Sequence, residues 1–292
     1  MENTRPIDKL LDFAKKDERI RVVGMEGSRT NHNVPRDDFQ DYDISFVVTD
    51  MAAFLENNKW INFLGERLIT QTPEDMELFP PELGNWFSYL MLFIDHSKID
   101  LTLVPIEELE LYLESDGLLE IILDKDLRCL NVPEATDVTY HVQKPSARSF
   151  DDCCNEFWMV STYVVKGICR NELLFANYHF EHILREELLR MLSWRVGFET
   201  EFSLSVGKRY KYISQYLHAK EVSQLMGTFE LSSKKAIWQA LLLAFDLFAK
   251  ASQQVATRLE VEYPVYEKNI RVYVDEVYQK FLVNNFVDNI IK

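Results

Sequence analysis

The pattern of hydrophobic residues changes near residue 150, and this change constrains the fold more than any other feature of the chain. Before it, short apolar runs are separated by turns and acidic loops. After it, apolar residues recur at helical spacing, as in FDDCCNEFWMVSTYVVKGICR and SSKKAIWQALLLAFDLFAKASQQVATRLE. Alternation with a period of two indicates strands, and a period near 3.6 indicates helices. The sequence therefore predicts an α+β chain with domains at residues 1–145 and 146–292, the second a bundle of helices.

Strand signals in the first part of the chain fall into three segments. IRVVGMEG predicts a buried strand that ends at a glycine, and YDISFVV predicts a second strand. FSYLMLFIDHSKIDLTLVP predicts a β-hairpin, because two apolar runs flank the polar turn residues DHSK. GLLEIILDKD predicts either a helix or an edge strand. In the helical part, Asn171 and Ser232 are predicted to cap the starts of the second and third long helices.

Two carboxylates stand one residue apart where the second strand begins, at Asp41 and Asp43. Side chains at i and i+2 of a strand point to the same face, about 6–7 Å apart, so Tyr42 between them packs on the other face. Like charges held together cost free energy unless a cation lies between them, and Mg²⁺ prefers such oxygen ligands. Asp100, on the polar face of the second hairpin arm, is the candidate for a third carboxylate, and Asp95 in the turn is its rival. A DxD alone is more often a solvated strand edge.

A glycine-serine turn, GMEGSRT, follows the first predicted strand. Gly27 lets the backbone approach a ligand closely, Ser28 offers a hydroxyl and an amide, and Arg29 offers a planar cation. A helix that began near Ser28 would point its first amides at a ligand in the turn, which favours phosphate. The alternative is a capped helix start with Arg29 at the surface. Followed by a DxD strand and a strand with a single aspartate, the turn indicates a phosphate site.

This ordered trio of turn, DxD strand and single-aspartate strand resembles the pattern of the nucleotidyltransferase superfamily with a polymerase-beta-like fold. Five segments together resemble the aminoglycoside 6-adenylyltransferases, which modify streptomycin. They are GSRTNHNVPRDDFQDYDISFVV, EDMELFPPE, SYLMLFIDHSKIDLTLVP, CCNEFWMVSTYVVKGICRNELLFA and WRVGFETEFSLSVGKRYKYISQYL. The resemblance covers residues 26–217 and continues more weakly to the end. The first segment specifies only the superfamily, whereas the segments from the helical part are not shared with polymerases or tRNA enzymes.

The resemblance implies an N-terminal nucleotidyltransferase domain with a mixed sheet and a helical domain that closes the substrate cleft. It also implies transfer of AMP from ATP to the 6-hydroxyl of streptomycin, release of pyrophosphate, and antibiotic resistance. By motif position, Asp41 and Asp43 would hold Mg²⁺. Asp100 would be a metal ligand or the general base for the acceptor hydroxyl, and the sequence leaves both roles open. The triphosphate would contact Gly27, Ser28 and Arg29.

The helical part offers further candidates, each with a structural alternative. Glu156, Tyr163 and Lys166 are spaced to share one helix face. In related enzymes a lysine of the helical domain contacts the triphosphate, which suggests Lys166. A lysine at the surface without such a role is an equally good interpretation of Lys166. Lys208, in a loop after a glycine, is a second candidate for the triphosphate. Glu156 and Trp158 could meet a cationic acceptor through charge and ring contact. An aromatic residue in such an apolar helix is more often part of the core.

The charge balance narrows the range of partners. With 47 acidic and 32 basic residues the net charge is −15, which disfavours nucleic acid and suits a cationic aminoglycoside. No segment has the length and apolar composition of a membrane span, and four cysteines without zinc spacing fit thiols in the cytoplasm. Two other functions remain open: a nucleotidyltransferase of the same fold acting on another small-molecule or protein hydroxyl, and a binding module without catalysis.

Overall fold

The computed structural model describes residues 5–282 and divides into two compact units, with the division between Thr139 and Tyr140. The first unit contains a six-stranded sheet in the order β3-β4-β5-β2-β1-β6. Its strands are β1 (Ile20–Glu26), β2 (Tyr42–Val48), β3 (Arg67–Gln71), β4 (Phe87–Phe93), β5 (Lys98–Pro105) and β6 (Glu120–Asp124). The central pair β2–β5 is parallel and every other pair is antiparallel, so the sheet is mixed.

The two faces of this sheet carry different side chains because alternate residues point to opposite sides. On one face, residues such as Phe46 and Leu103 form the larger core, against which helix α1 (Pro6–Lys16) packs through Leu10. The other face has a smaller apolar cluster at one end, where Val47 and its neighbours meet α3 (Leu109–Leu113). A short helix α2 (Met51–Leu55) follows β2. Polar residues occupy the opposite end of this second face, and they form the site described below.

The second unit is helical. Its helices are α4 (Ala147–Arg170), α5 (Leu173–His179), α6 (Arg185–Glu199), α7 (Ala219–Gly227), α8 (Lys234–Leu259) and α9 (Tyr266–Val277). α4 and α8 pack through aromatic rings in the centre of the unit, where Phe157 stacks on Phe248 with ring centroids 3.7 Å apart. A short π-helical segment, Phe180–Leu184, joins α5 to α6. The predicted α+β class, with a mixed sheet first and helices after it, is confirmed.

Several local expectations were wrong at element ends. Asn171 does not begin a helix: it ends α4 in the left-handed conformation, with φ 61°, which an asparagine adopts more readily than most residues. The cap of α8 is Ser233 rather than Ser232, and its side chain accepts a hydrogen bond from the Ala236 amide. β3 was not anticipated, because its residues are mostly exposed and show no alternation. No helix within residues 5–282 combines the length and the apolar composition needed to cross a bilayer.

Candidate active site

The three predicted carboxylates lie together at one end of the β2–β5 pair. Asp43 on β2 is the register partner of Asp100 on β5, and Asp41 immediately precedes β2. In a parallel pair, register partners point to the same face of the sheet. The rival, Asp95, lies in the exposed hairpin turn, where its carboxylate accepts hydrogen bonds from the amide and hydroxyl of Ser97. The fold therefore brings Asp100 to the paired aspartates and leaves Asp95 outside the group.

An ammonium group stands between two of these carboxylates. Lys98 Nζ donates to Asp41 Oδ2 at 2.6 Å and to Asp100 Oδ2 at 2.8 Å. Lys98 begins β5 and points to the same face as Asp100 because it precedes that residue by two. Burial lowers the pKa of Lys98, but hydrogen bonds to Asp100 and Asp41 outweigh burial and leave the pKa above its ordinary value. The side chain is therefore cationic at neutral pH.

The glycine-serine turn lies against the same acids. Residues Gly27–Arg29 form one turn of 3-10 helix rather than the start of a longer helix. Gly27 has φ +74°, and a Cβ atom at this position would overlap Asp43 Oδ2. Only glycine allows this conformation and this approach together without strain. The turn thus brings the backbone of residues 27–29 next to the Asp43 carboxylate.

Arg29 braces the chain that leads into β2. Its Nε donates to the Asp41 carbonyl at 2.9 Å, and its Nη2 donates to the Gln40 carbonyl at 2.7 Å. Its guanidinium lies 3.6 Å from the centroid of the Tyr42 ring. Gln40 in turn donates to the Ser28 carbonyl at 3.0 Å. These contacts fix the position of Asp41 relative to the turn. They also use two of the guanidinium donors of Arg29, the residue that the sequence assigned to the triphosphate.

A fourth acid, Glu26, lies beside Asp43 at the end of β1 and is its register partner. The Tyr112 hydroxyl on α3 donates to Glu26 Oε1, and Ser45 also hydrogen-bonds this carboxyl. Gly24 leaves room for the tyrosine, because a Cβ atom there would overlap the Tyr112 hydroxyl. Burial raises the pKa of Glu26 to about 7 and the Asp43 charge adds to the shift, whereas the hydrogen bonds from Tyr112 and Ser45 oppose it. Glu26 is therefore a carboxyl group that binds a proton near neutrality.

The donor set at this site suits a hard divalent cation. Two carboxylates already share one cationic group, and Asp100 Oδ1 is buried with no hydrogen-bond partner. All the side-chain donors are oxygens, which Mg²⁺ prefers. Within residues 5–282, no group of three or more histidine, cysteine or acidic side chains is arranged so that it could hold a metal ion without rearrangement. At this site the ammonium of Lys98 occupies the space between the acids, so a bound ion requires that side chain to move.

The candidates of the second unit lie in different surroundings from one another. Lys166 is half-buried, and its Nζ lies 4.8 Å from the ring centroid of Tyr163 and 5.3 Å from that of Phe175. Glu156 is exposed on the same helix. Lys208 is exposed in a short turn after Gly207. Glu156 and Lys208 are therefore exposed to solvent, whereas Lys166 is only partly exposed.

Trp158 belongs to the core of the second unit. It is 1% exposed and lies against Phe245, with ring centroids 4.7 Å apart, and edge-on to Phe157. This is the core placement that the sequence left open as the alternative. In this arrangement the indole ring offers no face to a ligand in solvent.

Sequence reasoning did not identify Lys98, Glu26 or Tyr112. Lys98 was assigned to the hairpin turn, although extending the alternation of β5 back by two residues from Asp100 would have placed it on the polar face. Glu26 was covered by the strand prediction, and no special role was drawn from an acid at a strand end. Tyr112 has no local signal, because it lies 86 residues from Glu26 in the sequence and meets it only through the packing of α3.

The chain matches one family model along nearly its whole length. The model is described as "Streptomycin adenylyltransferase", and the match covers residues 1–277. The chain is also 50% identical to an aminoglycoside 6-adenylyltransferase of Bacillus subtilis (strain 168), over 93% of this chain and 96% of the relative. It is 50% identical to an aminoglycoside 6-adenylyltransferase of Campylobacter jejuni, over 94% of this chain and 95% of that protein.

One solved structure is also similar to this chain in sequence. The crystal structure of an aminoglycoside 6-adenyltransferase from Bacillus subtilis is 46% identical in sequence, covers 93% of this chain and 97% of its own, and superposes with a TM-score of 0.48. The family match extends over residues 1–277 and therefore spans both units and the segments that contain the turn, Asp41, Asp43 and Asp100. The chain therefore belongs to the streptomycin adenylyltransferase family, and it is a nucleotidyltransferase.

Proposed function

We propose that this enzyme transfers AMP from ATP to the 6-hydroxyl of streptomycin and releases pyrophosphate, which would confer resistance to the antibiotic. The observation that carries the proposal is the high identity, along almost the entire chain, to proteins named aminoglycoside 6-adenylyltransferases. The group of carboxylates on β2 and β5 supports it, because such a group could hold a divalent ion. Nucleotidyl transfer depends on a cation of this kind to neutralise the charge of the polyphosphate. The net charge of −15 suits a cationic acceptor.

In the proposed reaction, the acceptor oxygen attacks the α-phosphorus of ATP. The bond between that phosphorus and the oxygen bridging to the β-phosphate breaks, and pyrophosphate leaves with the electron pair. The proton of the hydroxyl passes to a base. A Mg²⁺ ion held by Asp41, Asp43 and Asp100 would neutralise charge on the phosphates. Asp100 accepts the proton, contributes to the ion site, or does both.

The turn before β2 has a separate role in this proposal. The backbone amides of Gly27 and Ser28 are assigned to the triphosphate, because a glycine without a side chain lets a ligand approach the backbone closely. Arg29 is assigned to the same phosphates and also holds the carbonyls of Gln40 and Asp41. A variant Arg29→Lys keeps the charge but loses the planar set of donors. We expect it to reduce adenylylation even at saturating ATP, because the position of Asp41 depends on those hydrogen bonds.

The acceptor is tested with the full chain, ATP, Mg²⁺ and a panel of aminoglycosides, by measuring pyrophosphate and the mass of the acceptor. We expect pyrophosphate release with streptomycin and a product heavier by one AMP. Release with another acceptor alone would favour a nucleotidyltransferase of the same fold with a different small-molecule or protein substrate. If the folded protein released no pyrophosphate with any acceptor on the panel, the streptomycin proposal would be contradicted. Chelation of divalent ions should stop the reaction, and added Mg²⁺ should restore it.

The nucleotide-binding role of the second unit is tested separately. We propose that Lys166 and Lys208 bind the triphosphate and that residues 146–292 close the substrate cleft. Lys166→Met and Lys208→Met should each raise the KM for ATP about tenfold, the effect expected from losing one hydrogen bond to a charged group. Lys220→Met is the matched control, because Lys220 is exposed on α7 of the same unit. An unchanged KM in both variants would remove these lysines from the nucleotide site.

Glu156 is proposed to contact the cationic acceptor. Glu156→Gln should raise the KM for streptomycin and leave the KM for ATP unchanged. Equal effects on both substrates would contradict a role specific to the acceptor.

A further inference from the structure

The ammonium of Lys98 occupies the position between two carboxylates that the proposed reaction assigns to a divalent ion. It donates to Asp41 Oδ2 and Asp100 Oδ2 at 2.6 and 2.8 Å. The side chains of Lys98, Asp41 and Asp100 are 37%, 36% and 24% exposed. Water therefore reaches the group, and the ion pair is open to competition from solution.

Two features make Lys98 suited to temporary occupation of this space. A lysine ammonium is a compact charge on a flexible four-carbon stem, so it can leave the carboxylates without any backbone movement. Its stem starts at the first residue of β5, at the end of the sheet, where the side chain has solvent on one side. Asp100 is anchored differently, within the strand, and its Oδ1 atom is buried without a hydrogen-bond partner. The strand therefore fixes the backbone of Asp100 whether or not the ammonium is present, and its carboxylate has an oxygen atom available to another cation.

We propose that Lys98 is a tethered cation that holds the carboxylates of Asp41 and Asp100 together in the nucleotide-free enzyme and is displaced when the divalent ion binds. This inference rests on the proposed function for the identity of the site. Without a cation, the two carboxylates would repel each other. With Lys98 in place they are already close together, and a divalent ion must compete with the ammonium for the same oxygen atoms.

Competition has a consequence for the order in which ligands bind. Free divalent ions bind weakly to the nucleotide-free enzyme, because each binding event must first break the contacts of Lys98. An ion that arrives with a nucleoside triphosphate brings negative phosphate oxygens, which give the displaced ammonium a new partner. Lys98 thus favours loading of the ion together with the nucleotide over loading of the ion alone. Lys98 is in this sense a positioning residue that acts through Asp41 and Asp100.

The test measures Mn²⁺ binding to the full chain by electron paramagnetic resonance, with no nucleotide and no acceptor. Lys98→Met removes the competing charge, and we expect it to bind Mn²⁺ about tenfold more tightly than the wild type, as for removal of a partly exposed ion pair. Lys98→Arg is the matched control, because it keeps a cation and should bind Mn²⁺ no more tightly than the wild type. In the presence of a non-hydrolysable ATP analogue, the difference between wild type and Lys98→Met should shrink.

Thermal unfolding gives a second readout that does not depend on activity. Without metal, Lys98→Met should have a lower Tm than the wild type, because the two carboxylates then lack a cation. Added Mn²⁺ should raise its Tm by more than it raises that of the wild type. Lys98→Gln serves the same purpose if the methionine variant does not fold, since its amide still donates hydrogen bonds to the carboxylates.

The outcomes separate this inference from the proposed function. Equal or weaker Mn²⁺ binding by the folded neutral variants overturns the role of Lys98, whether or not the enzyme adenylylates streptomycin. Tighter binding by those variants supports it, even if the acceptor panel identifies a different substrate. Absence of Mn²⁺ binding in wild type and variants alike, with and without the nucleotide analogue, overturns the inference and also the assignment of the metal to these acids.

Discussion

The backbone of Gly27 lies against the carboxylate of Asp43, so closely that a Cβ atom at residue 27 would overlap Asp43 Oδ2. The glycine also has a positive φ of 74°, a backbone conformation that residues with side chains rarely adopt. The turn and the strand therefore depend on each other: the carboxylate takes its position because the turn has no side chain. This relationship links the first motif of the sequence to the second in space.

Gly27→Ala should reduce kcat/KM for adenylylation by about a hundredfold, because displacement of a reacting group by about 1 Å can have an effect of that size. The variant should remain folded, with a stability loss of about 1–2 kcal/mol from the positive φ. Gly84→Ala is the matched control: Gly84 has φ +65°, and a Cβ atom there has no neighbour within 4 Å. Its activity should stay close to that of the wild type in the same assay. Equal losses of activity in both variants would attribute the effect to backbone strain alone.

Asp100→Asn should lower kcat by about 10²–10⁴-fold, since the position is assigned to proton transfer or to ion binding. The amide is nearly the same size as the carboxylate, so circular dichroism and Tm should change little. Asp95→Asn, in the exposed turn of the same hairpin, should retain activity within about twofold, as for most surface substitutions. The steady-state rate of pyrophosphate release with each variant is the measurement. A larger loss with Asp95→Asn than with Asp100→Asn would reverse the assignment of the third acid.

Glu26 should make the free energy of unfolding depend on pH near neutrality. Its pKa is raised to about 7 in the folded chain, against an ordinary value of 4.5. Between these values the folded chain holds a proton that the unfolded chain releases, so stability falls as pH rises from about 4.5 to about 7. Glu26→Gln removes this titration and should flatten the slope, which makes the variant more stable than the wild type by about 1–3 kcal/mol at pH 8.

Urea unfolding in the presence of a metal chelator, at several pH values, measures the pH dependence of the free energy of unfolding. Glu110→Gln is the control, because Glu110 is exposed on the same helix as Tyr112. It should leave the slope unchanged. An identical pH dependence for wild type and Glu26→Gln would show that the Glu26 carboxyl does not titrate in this range.

The second unit contains a buried ion pair that should govern its stability. Arg195 Nη1 donates to Glu221 Oε1 at 2.7 Å, and Lys250 Nζ donates to the same oxygen at 2.8 Å. Arg195 and Glu221 are 5% and 2% exposed. Glu221→Gln leaves the arginine charge buried without its partner, and should lower the free energy of unfolding by about 3–5 kcal/mol. Glu199→Gln, whose carboxylate is 56% exposed and lies 3.6 Å from Arg195 Nε, should cost less than about 1 kcal/mol.

The same pair predicts sensitivity to acid. Burial raises the pKa of Glu221, but hydrogen bonds from Arg195 and Lys250 outweigh it and hold the value at about 2, against an ordinary 4.5. The stabilisation is therefore complete above about pH 4.5 and is lost as the pH falls through about 2. Urea unfolding of wild type and Glu221→Gln at neutral and acidic pH should show the gap between them narrowing in acid. A gap that stays constant would contradict the depressed pKa.

Much of the candidate site could be predicted from local patterns. Asp41, Asp43 and Asp100 were assigned to one face of adjacent strands by alternation, and the parallel register of β2 and β5 brings Asp43 and Asp100 together. Helix capping was harder to predict: Asn171 lies between two helical patterns, and it ends α4 instead of beginning the next helix. An asparagine can cap the start of a helix or end a helix in the left-handed conformation, so only the backbone conformation in the folded chain decides between the two roles.

The sequence by itself determined the change from sheet to helices and the face of the sheet on which the aspartates lie, because these follow from periods of two and 3.6 residues along a single segment. Tertiary structure alone decided that Lys98 would insert between Asp41 and Asp100, that Tyr112 would reach Glu26 across Gly24, and that Gly27 would touch Asp43. Each of these contacts joins elements that are distant in the chain or depends on a side-chain conformation. Their physical basis is the packing of the sheet and α3, which no local pattern specifies.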